Sequence, residues 1–304
     1  MGFTLTILGS NSAVPAHNRF PTSQILQHHN SKYMIDCGEG TQFQLNKYHI
    51  KRGNLNHIFI SHLHADHFLG VVGLISSLRL NGKTEDLHIY APPFLKEILD
   101  IQLMQDLERI RSFEYVFHPL KFGESYKIYE NDSLEVFTIP LDHKIDCNGF
   151  LFKEKPKQRK IIGEKIKELD IPFDKINDIK NGQDFTNEQG KSFKNKELTL
   201  DPDKHKSYAY CSDTKYNESI LPLIKEVDLL YHESTFMHDM KEKSEERFHT
   251  TSIQAATLAK KAKVKKLAIG HFSARYRDLN PMLEEAKTVF RNTELALEGT
   301  VFEI

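Results

Sequence analysis

The sequence contains no tryptophan and only three cysteines, Cys37, Cys147 and Cys211, in 304 residues. The cysteines form no CxxC pair and no disulfide framework, which fits a reducing compartment. The chain also lacks an excess of either charge: 41 Lys and Arg stand against 42 Asp and Glu, a formal net charge of -1. No global basic field therefore advertises a nucleic-acid partner, and any such partner must be held by a local patch. The apolar runs fall far short of the ~20 residues of a membrane span. The start, MGFTLTILGS, is a short apolar strand without the basic lead of a signal peptide. A soluble cytoplasmic protein is the expectation, with no membrane partner. Hydrophobic residues at 39%, with 20 Phe, suffice for a sizeable core in one large domain or two small ones.

The stretch that organises the rest is SHLHADHFLG, residues 61–70. Four candidate ligands, His62, His64, Asp66 and His67, fall within six residues. The apolar residues 58–60 read as a strand that ends at Ser61. A spacing of two puts the rings of His62 and His64 on one side of an extended segment. Asp66 and His67 are adjacent, so a turn brings them to a second point nearby. Imidazole and carboxylate suit zinc or a similar divalent ion. A histidine-rich turn without a metal would not need this order of spacings.

Along the chain, residues 3–8, 23–28, 32–35, 88–90, 115–119, 126–129, 134–140, 147–152, 207–211, 228–231 and 266–269 read as strands. Residues 43–48, 68–80, 95–110, 217–226, 252–261 and 281–290 read as helices, with Thr250 or Thr251 capping the fifth. Residues 295–297 and 300–302 read as a last hairpin around Glu298-Gly299. DCGEGTQ, residues 36–42, places two glycines in a tight turn beside Asp36. That carboxylate is either a ligand or an acceptor for a histidine N–H, and the well-supplied ligand set favours the second. Residues 153–167 hold seven basic residues against two acidic ones, and residues 170–206 are polar with turns. The pattern reads as an insertion that protrudes, either a solvated face or a contact for a phosphate backbone.

Asp36, His62, His143, Asp213, His232 and His271 lie just after apolar strands. This collects them on one edge of a sheet sandwich. A consistent assignment places His62, His64 and His143 on one ion and Asp66, His67 and His271 on another. Asp213 then bridges both, and a water shared by the ions is the nucleophile.

These motifs resemble those of the metallo-beta-lactamase superfamily, whose signature is HxHxDH, and more closely those of the short form of ribonuclease Z, the transfer-RNA 3'-processing endonucleases. The resemblance is carried by GSNSAVP at residues 9–15, DCGEGTQ, SDT at 212–214, HEST at 232–235, HTTSIQAA at 249–256 and GHFSARY at 270–276. It implies an α/β fold, a four-layer αββα sandwich of metallo-beta-lactamase type. Residues 1–304 are then a single metallo-hydrolase domain, with residues 153–206 an inserted arm that binds substrate. It implies two Zn2+ per chain, with Mn2+ or another divalent ion as the alternative. The implied partner is precursor transfer RNA, not DNA. The implied assembly is a homodimer in which one subunit's arm presents RNA to the other's site. The implied reaction removes the 3' trailer and leaves a 3'-hydroxyl. Asp66 orients or deprotonates the water, His249 donates a proton to the leaving 3' oxygen, and Glu233 holds His249 in place. Lys155, Lys157, Arg159 and Lys160 of the arm and Arg275 near the metal edge are the candidate phosphate contacts. The family's arm carries a glycine-proline-rich turn, whereas this insert has IPFDK at residues 171–175 and no Gly-Pro pair.

The alternatives are another dinuclear hydrolase of the superfamily (a phosphodiesterase, arylsulfatase-like enzyme or lactonase), a silent RNA-binding scaffold, and a metal-storage protein. A hydrolase of small substrates needs no basic arm. A scaffold has no use for seven convergent ligands, and storage does not require His249 and Glu233.

Overall fold

The computed structural model describes residues 2–103 and 113–304. Two seven-stranded sheets form its centre. In the first, the order is Val301–Glu303, Phe3–Gly9, Ser23–His28, Ser31–Cys37, Leu55–Phe59, Leu87–Ala91 and Tyr115–Pro119. Its first four strands are mutually antiparallel, and from Ser31–Cys37 onward neighbours run parallel. In the second, the order is Thr293–Leu295, Lys266–Gly270, Leu229–Glu233, Ser207–Cys211, Asn148–Glu154, Leu134–Pro140 and Lys127–Glu130, the first four parallel.

Alternation along the strands dictates the layering. Inward residues of the two sheets meet in an aromatic layer, where Phe59 lies 5.5 Å from Phe150 and 5.4 Å from Phe152 between ring centroids. Outward residues of the first sheet, among them Ile58 and Ile89, pack on the helices Gly70–Leu80 and Phe94–Leu103. Those of the second pack on Ser252–Lys261 and Asn280–Val289. The result is the αββα sandwich of the metallo-beta-lactamase fold. No helix among the described residues is long and apolar enough to cross a membrane.

The structure departs from the sequence-based expectations at four places. The apolar run at 68–80 is split into Ala65–Phe68 and Gly70–Leu80. A Cβ at Gly70 would sit 2.2 Å from the carbonyl oxygen of Gly38, so the chain comes too close there for any other residue. Residues 217–226 form only the 3-10 turn Glu218–Ile220, because Pro222 offers no N–H to continue a helix. The two final strands are not a hairpin. Thr293–Leu295 joins the second sheet and Val301–Glu303 the first, and the turn between them is tied to the first sheet by Gly299 N donating to Ile7 O at 2.8 Å. The expected helix 95–110 is described as Phe94–Leu103, and residues 104–110 lie outside the described residues. The polar stretch 170–206 is not merely turns: with Gly163–Glu168 and Phe173–Lys180 it builds a small core of Ile171, Ile179, Phe185 and Leu198. The helix at 252–261 begins as expected, with Thr251 and Gln254 forming a reciprocal cap.

The chain divides into two compact units. One comprises residues 1–129, 136–152 and 206–304, and the other Glu130–Glu135 and Lys153–His205.

Candidate metal centre

All the candidate ligands belong to the larger unit. The strand Leu55–Phe59 runs out just before His62, and His64 leads in extended backbone into the one-turn helix Ala65–Phe68, which carries Asp66 and His67. Three other strand ends supply the rest: His143 follows Leu134–Pro140, Asp213 follows Ser207–Cys211, and His271 follows Lys266–Gly270. A strand-end origin is what lets residues 209 positions apart in sequence share one edge.

Three overlapping groups of ligating atoms result at this edge. His62, His64, His143 and Asp213 make one, Asp66, His67 and His271 a second, and Asp213, His249 and His271 a third, with the atoms of each group within 4.8 Å of one another. Asp213 faces the first two. Its Oδ2 lies 3.6 Å from His62 Nε2 and 3.7 Å from His143 Nε2, while its Oδ1 lies 3.5 Å from His67 Nε2 and 3.2 Å from His271 Nε2.

This donor set fits two divalent ions. Nδ1 of His64 is 3.0 Å from Nε2 of His62 and 3.1 Å from Nε2 of His143, and Nε2 of His67 is 3.3 Å from Nε2 of His271. Lone pairs gathered this closely need a cation among them. Asp213 Oδ1 is buried and accepts no hydrogen bond, an open valence that a cation would fill. Burial lowers the pKa of His62, His64 and His143, which keeps them in the neutral form that ligands require. Burial opposes charge on His67 as well, but Asp66, Asp213 and Asp36 around it raise its pKa well above the ordinary value.

Two buried carboxylates hold these rings. Asp36 Oδ2 accepts from His67 Nδ1 at 2.8 Å, Ser61 Oγ at 2.9 Å and the Tyr210 hydroxyl at 2.5 Å, and Oδ1 accepts from Ser61 N at 2.8 Å. Because Ser61 Oγ donates to Asp36, it accepts from His62 Nδ1 at 2.9 Å. Glu233 has the same role opposite. It accepts from the backbone N–H groups of Thr214, Thr235 and Thr250, from Thr235 Oγ1 at 2.7 Å and from His249 Nδ1 at 2.9 Å. Thr235 Oγ1 in turn accepts from His271 Nδ1 at 2.9 Å, and the Phe248 carbonyl accepts from His143 Nδ1 at 2.9 Å. For His62, His67, His143 and His271 the Nδ1 proton is thus engaged and Nε2 faces the cluster. Asp36 and His271 both adopt left-handed backbone, φ 53° and 60°, a conformation that non-glycine residues keep only where surrounding bonds enforce it. Gly38 permits the approach of the Asp36 turn to the ligand helix, since a Cβ there would lie 2.4 Å from the Asp66 carbonyl oxygen.

His249 stands beside the ligands, its ring 5.4 Å from that of His143 and 5.5 Å from that of His271. Burial works against its charge, but Glu233 outweighs this and pushes its pKa up to about 9. The side chain is 16% exposed, and Nε2 has no hydrogen-bond partner among the described residues. Asp66 Oδ2 accepts from Ala13 N at 2.7 Å. Its carboxyl lies far below the usual range: burial opposes the charge, but His67 and His271 more than offset this. Arg275 lies over the ring of Phe236, 5.2 Å from its centroid, and that ring is 6.1 Å from His249. His232 lies outside the clusters. Its Nδ1 donates to the Glu233 carbonyl, and its buried Nε2 has no partner.

The four candidate phosphate contacts of the smaller unit are each paired with a carboxylate there: Lys155 with Glu130 at 3.0 Å, Lys157 with Glu154 at 2.8 Å, Arg159 with Asp201 at 2.5 Å and Lys160 with Asp203 at 2.6 Å. Over the whole unit, thirteen Lys and Arg face fourteen Asp and Glu. Ser61, Tyr210, Thr235 and the Phe248 carbonyl were not among the sequence candidates. Their only signal was adjacency: Ser61 precedes His62, and Thr235 closes HEST.

Comparison with known proteins agrees with this geometry. Residues 3–161 match the family model described as Anti-Pycsar protein Apyc1. A ribonuclease Z of Bacteroides fragilis is 44% identical over 297 residues, spanning 98% of this chain and 97% of that protein. One of Cytophaga hutchinsonii is 46% identical over 305 residues, spanning 100% and 97%. The crystal structure of the short form of human tRNase Z superposes with a TM-score of 0.72 at 24% identity, covering 98% of each chain. The metallo-beta-lactamase fold protein YhfI of Bacillus subtilis does so at 0.69 and 18%, covering 100% of each. The last two establish the fold, and the two curated relatives establish the family. The chain belongs to the ribonuclease Z family of metal-dependent phosphodiester hydrolases, and over its first half also to the family that the Apyc1 model describes.

Proposed function

We propose that this protein removes 3' trailers from precursor transfer RNA with two Zn2+ ions per chain. His62, His64 and His143 would hold one ion, Asp66, His67 and His271 the other, and Asp213 would bridge them. When bound, such ions lower the pKa of water and offset charge developing at phosphorus. The remaining chemistry falls to the chain's own groups. Asp66 directs the attacking water. As the bond from phosphorus to the 3' oxygen breaks, His249 passes its Nε2 proton to that oxygen, so transfer RNA leaves with a 3'-hydroxyl and the trailer keeps the phosphate. Glu233 keeps the donor protonated and its Nδ1 engaged. The observation that carries this reading is His249, bonded to Glu233 through Nδ1, raised in pKa and set beside the rings of His143 and His271, since a metal store or scaffold has no use for a proton donor there.

Arg275 would contact a substrate phosphate with its planar fork. Residues 153–206 would act as a substrate-binding arm within the single hydrolase domain of residues 1–304, with Lys155, Lys157, Arg159 and Lys160 exchanging their carboxylate partners for RNA phosphates. A homodimer in the cytoplasm is the setting that accords with this use of the arm. The test is purified protein with zinc and a 3'-extended precursor transfer RNA, with product ends mapped. Discrete cleavage at the 3' end, abolished by chelator, is expected. No cleavage with zinc, manganese or cobalt would overturn the reading. Turnover of small phosphodiesters alone would favour another dinuclear hydrolase.

A further inference from the structure

A cavity of about 400 Å³ lies in the larger unit between the loop at residues 17–19, the end of the helix Thr41–Lys47 and the turn at residues 277–280. We propose that it seats one nucleotide of the single-stranded 3' trailer, away from the cut and without preference for the base. This rests on the proposed RNA cleavage. None of the cavity's wall residues belongs to the groups of ligating atoms at the metal edge.

The walls leave cations open and carboxylates occupied. Arg19, Lys47 and Arg277 line the cavity with His17, against Asp278 and Glu298. Glu298 Oε1 accepts from Ser10 N at 3.0 Å and Phe20 N at 2.9 Å, and Oε2 accepts from Ser10 Oγ at 3.0 Å. Asp278 Oδ1 accepts from Asn280 N at 3.0 Å and Nδ2 at 2.9 Å. Lys47 and Arg277 are exposed and have no carboxylate partner among the described residues. Arg19 is only 7% exposed; burial disfavours its charge, and the nearby Glu298 supports it. Its Nε donates to Asn11 Oδ1 at 2.8 Å and its Nη2 to Tyr276 O at 2.6 Å, while Nη1 has no partner among the described residues. A guanidinium fixed at two nitrogens and open at the third meets a phosphate oxygen with little loss of freedom. Lys155, Lys157, Arg159 and Lys160 must each give up a carboxylate to do the same.

The rest of the lining suits an unpaired nucleotide. Tyr48, Leu295 and Leu297 give apolar surface for a base, and Lys47 Nζ lies 5.2 Å from the centroid of the Tyr48 ring. Cations beside an aromatic ring are the means by which single strands are held irrespective of sequence. The Asn18 amide both donates and accepts, so it favours no base. A base paired in the acceptor stem has no free face for such a wall, whereas the trailer is unpaired. Two loops lead from the metal edge to the cavity. One carries Ala13, whose N–H donates to Asp66 Oδ2 at 2.7 Å, and then His17 and Arg19. The other runs from His271 to Arg277, six residues that span no more than about 20 Å. They are tied together by Ser12 N donating to Phe272 O at 3.0 Å and by His17 Nε2 donating to Ala274 O at 2.8 Å. A strand cut at the metal edge and continuing over these loops reaches the cavity within a few nucleotides.

The experiment compares zinc-loaded protein on precursors with a single-nucleotide trailer and with a long unstructured trailer, in the wild type and in Lys47→Gln combined with Arg277→Gln. The wild type is expected to favour the long trailer by about tenfold in kcat/KM, carried by KM. The double variant should lose that advantage and cleave the short-trailer precursor as the wild type does. Equilibrium binding of a 5'-phosphorylated single-stranded RNA gives a reading that needs no cleavage. Its salt slope should fall by about 0.7 for each cation removed, equally for uridine and adenosine sequences. No length advantage in the wild type, or one unchanged in the double variant, would overturn the pocket. Inorganic phosphate that binds the wild type but not the double variant, with RNA bound equally by both, would make it a site for free phosphate and overturn the trailer contact. Absence of any precursor cleavage together with RNA binding that the double variant loses would overturn the proposed RNA processing and leave the pocket standing.

Discussion

The two units of this chain handle charge in opposite ways. In the larger unit, Asp213 is buried with an oxygen that accepts nothing, and five histidines crowd their nitrogens together around it. In the smaller unit, every cation singled out as an RNA contact already has a carboxylate at 2.5 to 3.0 Å, and most of these pairs stand in solvent. A buried group with an unfilled valence requires a ligand, because the cost of leaving it open is high. An exposed ion pair requires nothing and contributes little. The first pattern thus argues strongly for function, and the second argues only weakly.

The largest expected effect lies where the valence is open. Asp213→Ala should lose both ions and reduce cleavage by more than the ~100-fold expected of a supporting residue. Metal analysis and single-turnover cleavage on the same sample check this, and retention of two ions would remove Asp213 from the bridging position. His249→Ala should keep both ions and RNA binding while losing about 10²- to 10⁴-fold in single-turnover rate. Loss of metal in that variant would make His249 structural instead. Asp36→Asn should weaken metal affinity by about 10- to 100-fold, since it disturbs His67 directly and His62 through Ser61.

The pH profile sharpens the contrast further. His249 is raised from 6.5 to about 9 in the folded protein. A raised pKa means that the folded state favours the proton. The stability gained from the charged His249–Glu233 pair is therefore present in full below about pH 6.5 and lost as pH rises through about 9. Cleavage that draws on this proton should hold up to about pH 9 and fall above it. In Glu233→Gln the fall should move toward lower pH, and an unmoved alkaline limb would show that another group supplies the proton.

The smallest effect belongs to the smaller unit. Neutralising Lys155, Lys157, Arg159 and Lys160 together should weaken precursor binding. The fall in salt slope should be less than the ~0.9 per phosphate contact that free cations give, because each site exchanges a carboxylate for a phosphate. An unchanged affinity and slope would assign the four residues to their present ion pairs alone.

The same contrast explains what could be read from the sequence. The positions that the structure gathers at the candidate metal edge were legible because strand ends leave a local mark: an apolar run followed by His or Asp, as at His62, Asp213 and His271. Asp36 was legible as a supporting acceptor for the same reason. What could not be read was the hydroxyl relay through Ser61 and Thr235, since serine and threonine after a strand are common and only the spatial neighbour gives them a role. The final strands were misjudged because Glu298-Gly299 looks like a hairpin turn, while the partners that separate the two strands, Lys266–Gly270 and Phe3–Gly9, are distant in sequence. The basic run at residues 153–167 looked unopposed because its partners, Glu130, Asp201 and Asp203, fall outside that window. The small core of the second unit was hidden because Ile171, Ile179, Phe185 and Leu198 are spread through polar sequence without a helical or strand period.

The most direct test of the account is to titrate metal-free protein with zinc while following single-turnover cleavage of a 3'-extended precursor transfer RNA. The account predicts that cleavage climbs to its plateau at two equivalents of zinc per chain. Full cleavage without zinc, or a plateau reached below one equivalent, would contradict it.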